Sequence, residues 1–417
     1  MKKYLAAILT VLMWTLPSAA APVEIVVGAV YPLTGKQAIS GADTIKGIQL
    51  AFDIVNGEYD LPIPLAKTKG LPNLGGATLK LVMDDHQGIP ERALSATERL
   101  ISEEKAVAII GAYSSACTAT AAQAAERRRI PMINSESSSP MLTERGFKWF
   151  FRVMPHDVML VNAYFDFLAD VQKTKNVDIK RVAVFCEDSL YGSDVSRIAE
   201  QVVKERGYEF VEKILFPTGT NELNSEIQRL KAAKPDVVVN ACYLSDVILF
   251  NKTSKQLDFN PGGVLNSSGL VDNSVVLPTL KEDADYILAR DLWSLGIGNK
   301  KPLITTINNL FKEKYGQDMN GHQARSFTTG YLLARAIDEA GSTENVKLQE
   351  TLQKIFVDGD DIIMPWDGIR FDEKGQNMHG RAIVVQVKDE KFHVVWPFEF
   401  SEMDIVWPMP AWSDRRK

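Results

Sequence analysis

The sequence predicts an α/β protein built from two stacked series of strand–helix units. Strand and helix patterns alternate almost throughout the chain. The predicted strands are short and apolar without clean alternation, as expected when helices cover both faces of a parallel sheet. About 396 residues remain after an N-terminal leader, which is more than one typical domain holds. These observations together predict two domains of the same class.

The chain begins with a predicted secretory signal peptide over residues 1–21. Lys2 and Lys3 precede an apolar run at 4–16, and small residues at 18–21 lead to Pro22. The run is too short to span a bilayer. A buried helix is the alternative to a signal peptide here. No cysteine follows the run, so a lipid anchor is not expected. We therefore expect an exported protein whose leader is cleaved near residues 20–21.

Seven strands and six helices are predicted in alternating order after the leader. The strands lie at 25–29, 79–83, 107–110, 132–134, 181–186, 208–215 and 237–241, and the helices at 41–55, 92–103, 118–128, 158–174, 193–205 and 222–233. Residues 57–77 contain three prolines and several glycines and are predicted to form a surface insertion. The Trp- and Pro-rich tail from Lys388 is predicted to pack on the body as strand or extended chain.

The charge and the cysteine content of the chain exclude several classes of partner and of structure. The formal charge is −6, becoming −8 without Lys2 and Lys3, and no long run of either sign occurs. This balance argues against nucleic acid or an acidic membrane surface as a partner. The three cysteines, Cys117, Cys186 and Cys242, exclude a disulfide framework. One bridge is possible, but three buried thiols are favoured.

Catalytic motifs are absent from the sequence. It contains no GxSxG, HExxH, P-loop or CxxC pattern, so we expect neither an enzyme nor a bound cofactor. The five histidines are scattered without metal-ligand spacing and are interpreted as surface or satisfied core residues. Asp84, Asp85 and His86 follow a strand and are interpreted as backbone-bonding groups rather than a metal or acid–base site.

Residues 107–129 predict a binding site for an anion. A buried strand stops at Gly111, two serines follow, and an Ala-rich run predicts a helix. Ser114 and Ser115 then lie beside backbone N–H groups that have no partner within the helix. Free donors and the positive end of the helix dipole favour a carboxylate there, although Ser-Ser is also an ordinary helix cap.

Polar and aromatic residues follow several predicted parallel strands. They occupy 135–140, 187–192 and 242–246, the positions where open α/β sheets bind ligands. Any one of these segments is explained by a polar turn. Their recurrence in successive units predicts a cleft between the two domains.

The chain resembles the periplasmic solute-binding proteins of branched-chain amino acid ABC transporters. The segments that carry the resemblance are GAVYPLTG (28–35), GIQLAFDIVNG (47–57), LVMDDHQGIPERALSATERLI (81–101), the stretch 109–146, FFRVMPHD (150–157), RVAVFCEDSLYGSD (181–194) and LKAAKPDVVV (230–239). The resemblance covers nearly the whole mature chain but does not specify the ligand.

The resemblance implies two doubly wound α/β lobes joined by a three-segment hinge, the type I periplasmic binding protein fold. Lobe 1 would comprise 22–154 with 291–380, and lobe 2 would comprise 155–290 with 381–417. A small solute would bind in the cleft between them, and hinge closure would present it to ABC permease subunits in the membrane. The same resemblance implies a periplasmic location.

Seven ligand-binding residues are implied by the resemblance. Ser115 and the backbone of Tyr113 match the carboxylate site, Ser138 matches a second hydroxyl, and Glu136 matches a position that supplies a carbonyl. Tyr191 and Tyr243 match aromatic residues from lobe 2. Ser268 stands where amino acid binders of the family place a carboxylate against the ligand ammonium.

The serine at position 268 leaves the chemical class of the ligand undetermined. An ammonium buried without an anion costs several kcal/mol, so a replacement is needed or the ligand lacks that group. Glu136 is the first candidate replacement, and Asp246 and Asp272 are weaker ones. Ser40 also stands where an aromatic residue often lines the pocket. We expect an amino acid or related small carboxylate, with an amine-free acid, an amide or urea as alternatives.

Three classes of function are compatible with this sequence. Transport binding is favoured. A sensor module of the same fold would need a fused signalling segment to be recognised, and none is visible. An exported enzyme would need a nucleophile–base pair or a metal cluster in the cleft.

Overall fold

The computed structural model describes residues 23–268 and 275–415, and for Ser268 the backbone alone. The predicted signal peptide and the candidate Asp272 lie outside the described residues.

Two sheets organise the chain. The first has the order β2-β1-β3-β4-β5 with every pair parallel. Its strands are β1 (Glu24–Tyr31), β2 (Thr78–Asp85), β3 (Ala108–Gly111), β4 (Met132–Asn134) and β5 (Phe150–Arg152). Because these strands are parallel, their carboxyl ends meet at one edge of the sheet.

The second sheet has seven strands in the order β14-β13-β10-β9-β8-β6-β7. Its strands are β6 (Arg181–Asp188), β7 (Glu209–Pro217), β8 (Val237–Cys242), β9 (Gly263–Ser268), β10 (Leu288–Asp291), β13 (Ile383–Lys388) and β14 (Lys391–Trp396). The last two are antiparallel and the other five are parallel. A small hairpin, β11 (Phe356–Asp358) and β12 (Gly368–Arg370), stands apart.

Twelve helices cover these sheets in the described residues. They are α1 (Ala38–Asn56), α2 (Pro90–Ser102), α3 (Ser115–Arg128), α4 (Met141–Glu144), α5 (Asp157–Lys175), α6 (Leu190–Glu205), α7 (Asn224–Ala233), α8 (Leu244–Gln256), α9 (Val276–Leu280), α10 (Pro302–Tyr315), α11 (Gly321–Ala340) and α12 (Asn345–Lys354). Within the described ranges, none is long and apolar enough to cross a membrane.

The structure confirms the predicted alternation. Each of the seven predicted strands and six predicted helices is present, with ends shifted by a few residues. Ser114 is the N-cap of α3, and its hydroxyl accepts a hydrogen bond from the N–H of Cys117 at 3.4 Å. The three cysteines are free and buried, as favoured. The lobe boundaries at 154, 290 and 380 stay a prediction.

The prediction for residues 57–77 is wrong in part. The segment connects α1 to β2 as expected, but Leu61, Ile63 and Leu71 are buried in the core. Tyr331 of α11 donates a hydrogen bond to the carbonyl of Pro64 at 3.0 Å. Apolar residues placed between prolines therefore pack inward, which the turn-forming composition obscured.

The C-terminal tail packs on the second sheet as predicted. Strand β14 is followed by extended chain, in which Trp407 lies against Gly263 of β9. The indole N–H of Trp412 donates to the carbonyl of Phe259 at 2.9 Å. The tail thus covers the amino end of β9, a central strand of the sheet.

Helices α1 and α11 approach closely because Gly47 has no side chain. A Cβ at Gly47 would lie 2.1 Å from the hydroxyl of Ser326 and 2.2 Å from the carbonyl oxygen of Gln323. We expect Gly47→Ala to lower the free energy of unfolding by about 1–3 kcal/mol, since the helices must move apart. Gly330→Ala, whose Cβ would lie 3.2 Å from Ala51, should cost less. Urea titration of both variants measures the difference, and equal losses would contradict the argument.

Candidate functional site

A cleft lies between the carboxyl ends of the two sheets and has an empty volume of about 490 Å³, counting space open to solvent. We call it the main cleft. Its lining residues are Tyr113, Ser115, Glu136, Ser137, Ser138, Met154, Tyr191, Tyr243, Arg290, Asp291, Leu292, His322 and Arg325. Polar groups that could hold an anion line it from both sheets.

The first turn of α3 opens onto the main cleft. Gly111 ends β3 with φ +153°, and a Cβ there would lie 2.5 Å from the carbonyl oxygen of Val30. A glycine is therefore needed at the turn into the helix. Ser115, the first residue of α3, lines the cleft and accepts a hydrogen bond from the N–H of Ser139 at 3.4 Å.

Asn134 fixes the loop that follows β4 against the loop that follows β3. Its side-chain amide donates to the carbonyls of Gly111 at 2.8 Å and Ala112 at 3.0 Å, and its oxygen accepts from the N–H of Ser137 at 2.9 Å. This buried amide brings Ser138 to the same cleft as α3.

Three tyrosines cross the main cleft. The ring of Tyr243 lies 6.0 Å from that of Tyr113 and 5.6 Å from that of Tyr191, measured between centroids. The hydroxyl of Tyr191 is hydrogen-bonded to that of Ser267. Burial raises the pKa of Tyr191 and Tyr243 well above the usual value. Both tyrosines therefore stay neutral. Each presents an apolar ring face and one polar hydroxyl group.

A buried ion cluster closes one side of the main cleft. Arg325 donates to Glu136 from Nη2 to Oε2 at 2.7 Å and to Asp291 from Nη1 to Oδ1 at 3.2 Å. His322 Nδ1 lies 2.7 Å from Glu136 Oε2. The side chains of Glu136 and His322 are each 2% exposed. The carboxylate of Glu136 is thus already shared by two basic groups.

The electrostatics of the cluster follow from this pairing. Burial alone would raise the pKa of Glu136, but the charges and hydrogen bonds of Arg325 and His322 hold it below the usual value. Burial works against the charge of Arg325, yet Glu136 and Asp291 raise its pKa. Burial keeps the pKa of Asp291 raised in spite of Arg325.

Two buried nitrogen atoms near the cluster lack a hydrogen-bond partner among the described residues. The Nε–H of Arg290 and the Nε2 of His322 are buried and have no partner in the described part of the chain. Asp157 lies near enough to Arg290 for their charges to interact. Both of its carboxylate oxygens are buried, and neither accepts a well-formed hydrogen bond from a described residue. Burial raises the pKa of Asp157 to about 6, with Arg290 opposing the rise.

A second cavity adjoins the main cleft on the other side of Tyr113 and Tyr243. We call it the acidic cavity, and it is lined by Lys36, Gln37, Ser40, Tyr113, Glu187, Gly219, Tyr243, Leu244, Ser245 and Asp246. Glu187 is 6% exposed, and its Oε2 has no partner in the described ranges. Burial, with Asp246 nearby, raises the pKa of Glu187 to about 7.

Six of the seven sequence-predicted site residues line the main cleft. These are Tyr113, Ser115, Glu136, Ser138, Tyr191 and Tyr243. The backbone of Ser268 ends β9 opposite Cys242. The roles of all seven residues in binding stay predictions. Ser40 lies in the acidic cavity instead.

Four further residues line the main cleft and were not predicted from the sequence: Arg290, Asp291, His322 and Arg325. Arg290 and Asp291 end β10, which was not predicted, and their place at a strand end was the available signal. His322 was interpreted as a surface or core histidine. It is buried and partnered through Nδ1, but it also lines the main cleft. Its spacing of three residues from Arg325 on one helix could have indicated a shared face.

The prediction that Asp84, Asp85 and His86 bond to backbone holds in part, because Asp84 instead pairs with the guanidinium of Arg99 at 2.6 Å. Asp85 accepts hydrogen bonds from the N–H groups of Leu33 and Gln87, both at 2.8 Å. No group of three or more His, Cys, Asp or Glu side chains suited to a metal ion occurs in residues 23–268 and 275–415.

Comparison with known proteins identifies the relatives of this chain. Residues 24–391 match the profile of the periplasmic binding proteins. The Leu/Ile/Val-binding protein homolog 7 of Brucella suis is 25% identical over 408 residues, covering 95% of this chain and 97% of that protein. A leucine-binding protein of Thermotoga maritima superposes with a TM-score of 0.75 at 23% identity, covering 89% of this chain and 97% of that one. A solute-binding protein from R. palustris in complex with benzoate also gives 0.75, at 16% identity, covering 93% and 97%.

Proposed function

Since the chain belongs to the periplasmic binding protein family, we propose that it is the exported solute-binding component of an ABC import system. It captures a small amino acid or related carboxylate between its lobes by hinge closure and delivers it to membrane permease subunits. No covalent step is required. The relatives named above, which bind leucine or benzoate or are named for Leu, Ile and Val, support a carboxylate ligand.

The observation that carries this proposal is that an unpartnered buried donor and the first turn of α3 both line the main cleft. The Nε–H of Arg290 is buried without a partner in the described structure, and the first turn of α3 opens beside Ser115. A buried donor without a partner costs free energy, and a bound carboxylate would supply the missing acceptor. The helix dipole and the guanidinium charge both favour an anion.

The ion cluster limits where a ligand ammonium can bind. Glu136 was the first candidate for that role, yet its carboxylate already contacts Arg325 and His322. An ammonium at Glu136 would compete with a guanidinium for the same oxygens. This favours either an amine-free acid or an ammonium bound elsewhere.

Ser115→Ala is expected to weaken carboxylate binding by about 1–3 kcal/mol, because a hydrogen bond to a charged group is lost. Calorimetric titration of the ligand-stripped protein measures the change. Ser114→Ala is the matched control, since its hydroxyl caps the N–H of Cys117. Unchanged affinity in Ser115→Ala would contradict the role of this hydroxyl.

A thermal-shift screen tests the proposed function as a whole. The panel contains branched-chain, aromatic and acidic amino acids, aliphatic and aromatic carboxylates, amides and urea. A ligand that binds the folded state raises the melting temperature by mass action. At least one carboxylate is expected to do so and to lose its effect in Ser115→Ala. A response to amides or urea alone would overturn the carboxylate assignment.

A further inference from the structure

The acidic cavity contains an unpaired carboxylate that the proposed function does not use. Glu187 ends the buried part of β6, is 6% exposed, and has an Oε2 atom without a partner in the described chain. A buried carboxylate is costly unless a cation or hydrogen-bond donors satisfy it. The position of Glu187 in the lining of a cavity leaves space for such a group.

Asp246 adds a second carboxylate to the same cavity. It is 5% exposed, and its oxygens accept hydrogen bonds from the backbone N–H of Tyr243 at 3.3 Å and the hydroxyl of Ser245 at 3.4 Å. These contacts cap α8 and leave its negative charge in place. Lys36 is exposed, and it is the one basic side chain among the described residues of the lining.

The main cleft has the opposite character. Its two carboxylates, Glu136 and Asp291, both pair with Arg325, whereas Arg290 keeps an unpartnered Nε–H in the described structure. One buried donor of the lining, the Nε–H of Arg290, is therefore available to a ligand on this side. An anionic group of a ligand fits here, and a cationic group does not.

Tyr113 and Tyr243 line both spaces. Their rings, 6.0 Å apart between centroids, form the shared wall between the main cleft and the acidic cavity. Aromatic faces attract cations as well as covering apolar chain. A ligand that lies along these two rings, with one end in each space, would meet the Nε–H of Arg290 at one end and carboxylates at the other.

We propose that the acidic cavity is a cation subsite, and that the ligand carries its ammonium or guanidinium group at the opposite end from its carboxylate. This inference rests on the proposed function, which supplies the carboxylate site. An ω-amino or ω-guanidino carboxylate fits both ends. An α-amino acid of the same length does not, because its ammonium would stay beside Arg290.

Calorimetric titration with matched probes tests this inference. The probes are ω-amino acids of three to six carbons, each compared with the α-amino acid and the amine-free acid of the same skeleton. At least one ω-amino acid is expected to bind tenfold or more tightly than its two partners. Tighter binding of the α-amino or amine-free acid in every set would overturn the inference.

Two variants separate the subsite from a structural role. Glu187→Gln keeps the size of the side chain and removes its charge, so it should abolish the preference for the ω-amino acid and leave the affinity for the amine-free acid unchanged. Glu209→Gln is the matched control, since Glu209 lies on the neighbouring strand β7 in an exposed ion pair with Arg181. A preference that survives Glu187→Gln would overturn the subsite. Failure of every carboxylate would instead overturn the proposed function.

Proton release gives a second readout that a folding defect would not imitate. Burial raises the pKa of Glu187 to about 7, with Asp246 and Asp188 adding to the rise and Lys36 opposing it. A bound ammonium should stabilise the ionised form and release up to one proton near that pH. Titration in buffers of different ionisation enthalpy measures the release. The same release in Glu187→Gln would assign it to another group and contradict the subsite.

Discussion

Replacing Arg290 with Gln is expected to weaken carboxylate binding by about 2–4 kcal/mol, because a charge-assisted hydrogen bond is lost in a buried site. The loss corresponds to roughly 30- to 1000-fold in the dissociation constant. Arg290 lines the main cleft, and its Nε–H has no other partner in residues that the structure describes. Calorimetric titration with the best carboxylate of the screening panel measures the change.

The experiment needs a control for the effect of Arg290→Gln on Asp157. Arg290 opposes the burial that raises the pKa of Asp157 to about 6, so Arg290→Gln alone leaves that carboxylate without its nearby cation. Asp157→Asn removes the charge at this position. The double variant should bind as weakly as Arg290→Gln, whereas Asp157→Asn alone should bind nearly as the parent does. Full affinity in the double variant would show that Arg290 does not contact the ligand.

Glu136→Gln is expected to lower the free energy of unfolding by about 3–5 kcal/mol, the cost of leaving a buried cation without its partner. Glu136 contacts both Arg325 and His322, and Arg325 would retain Asp291 alone. Urea denaturation in the absence of ligand measures the loss. Glu144→Gln is the control, because its ion pair with Lys374 is exposed and should contribute less than about 1 kcal/mol.

The effect of Glu136 also has a defined dependence on pH. Its pKa in the folded state is below the usual value, so the folded state favours the ionised form. That stability is present above about pH 4.3, the ordinary value of Glu, and is lost as pH falls through the lower folded pKa. The gap between parent and Glu136→Gln should therefore shrink in acid. A gap that does not change with pH would assign the loss to packing.

Local patterns in the sequence predicted most of the fold. The Ala-rich run after Ser114 predicted α3, and apolar segments such as 237–241 predicted the parallel strands. Strand β10 was missed because two of its four residues, Arg290 and Asp291, are charged. Asp291 is buried against Arg325, which comes from a distant segment, and periodicity does not reveal such a partner.

The candidate site was predicted in the same uneven way. Ser115 and Ser138 follow strands and could be assigned from local rules together with the resemblance. The ion cluster could not be assigned, because Glu136 and Arg325 are 189 residues apart in sequence. Glu136 was proposed as an ammonium ligand because of its negative charge. The sequence did not reveal that the fold places Arg325 and His322 against that charge.

The late segments that complete both sheets have a consequence for the order of folding. Helix α11 packs on α1 although residues 57–320 lie between them, and β13 and β14 close an edge of a sheet whose first strand begins at Arg181. Contacts between segments so distant in sequence slow folding, because the chain entropy is lost before they form. The edge of β10 and the buried face of α1 therefore stay uncovered until the last quarter of the chain has been synthesised.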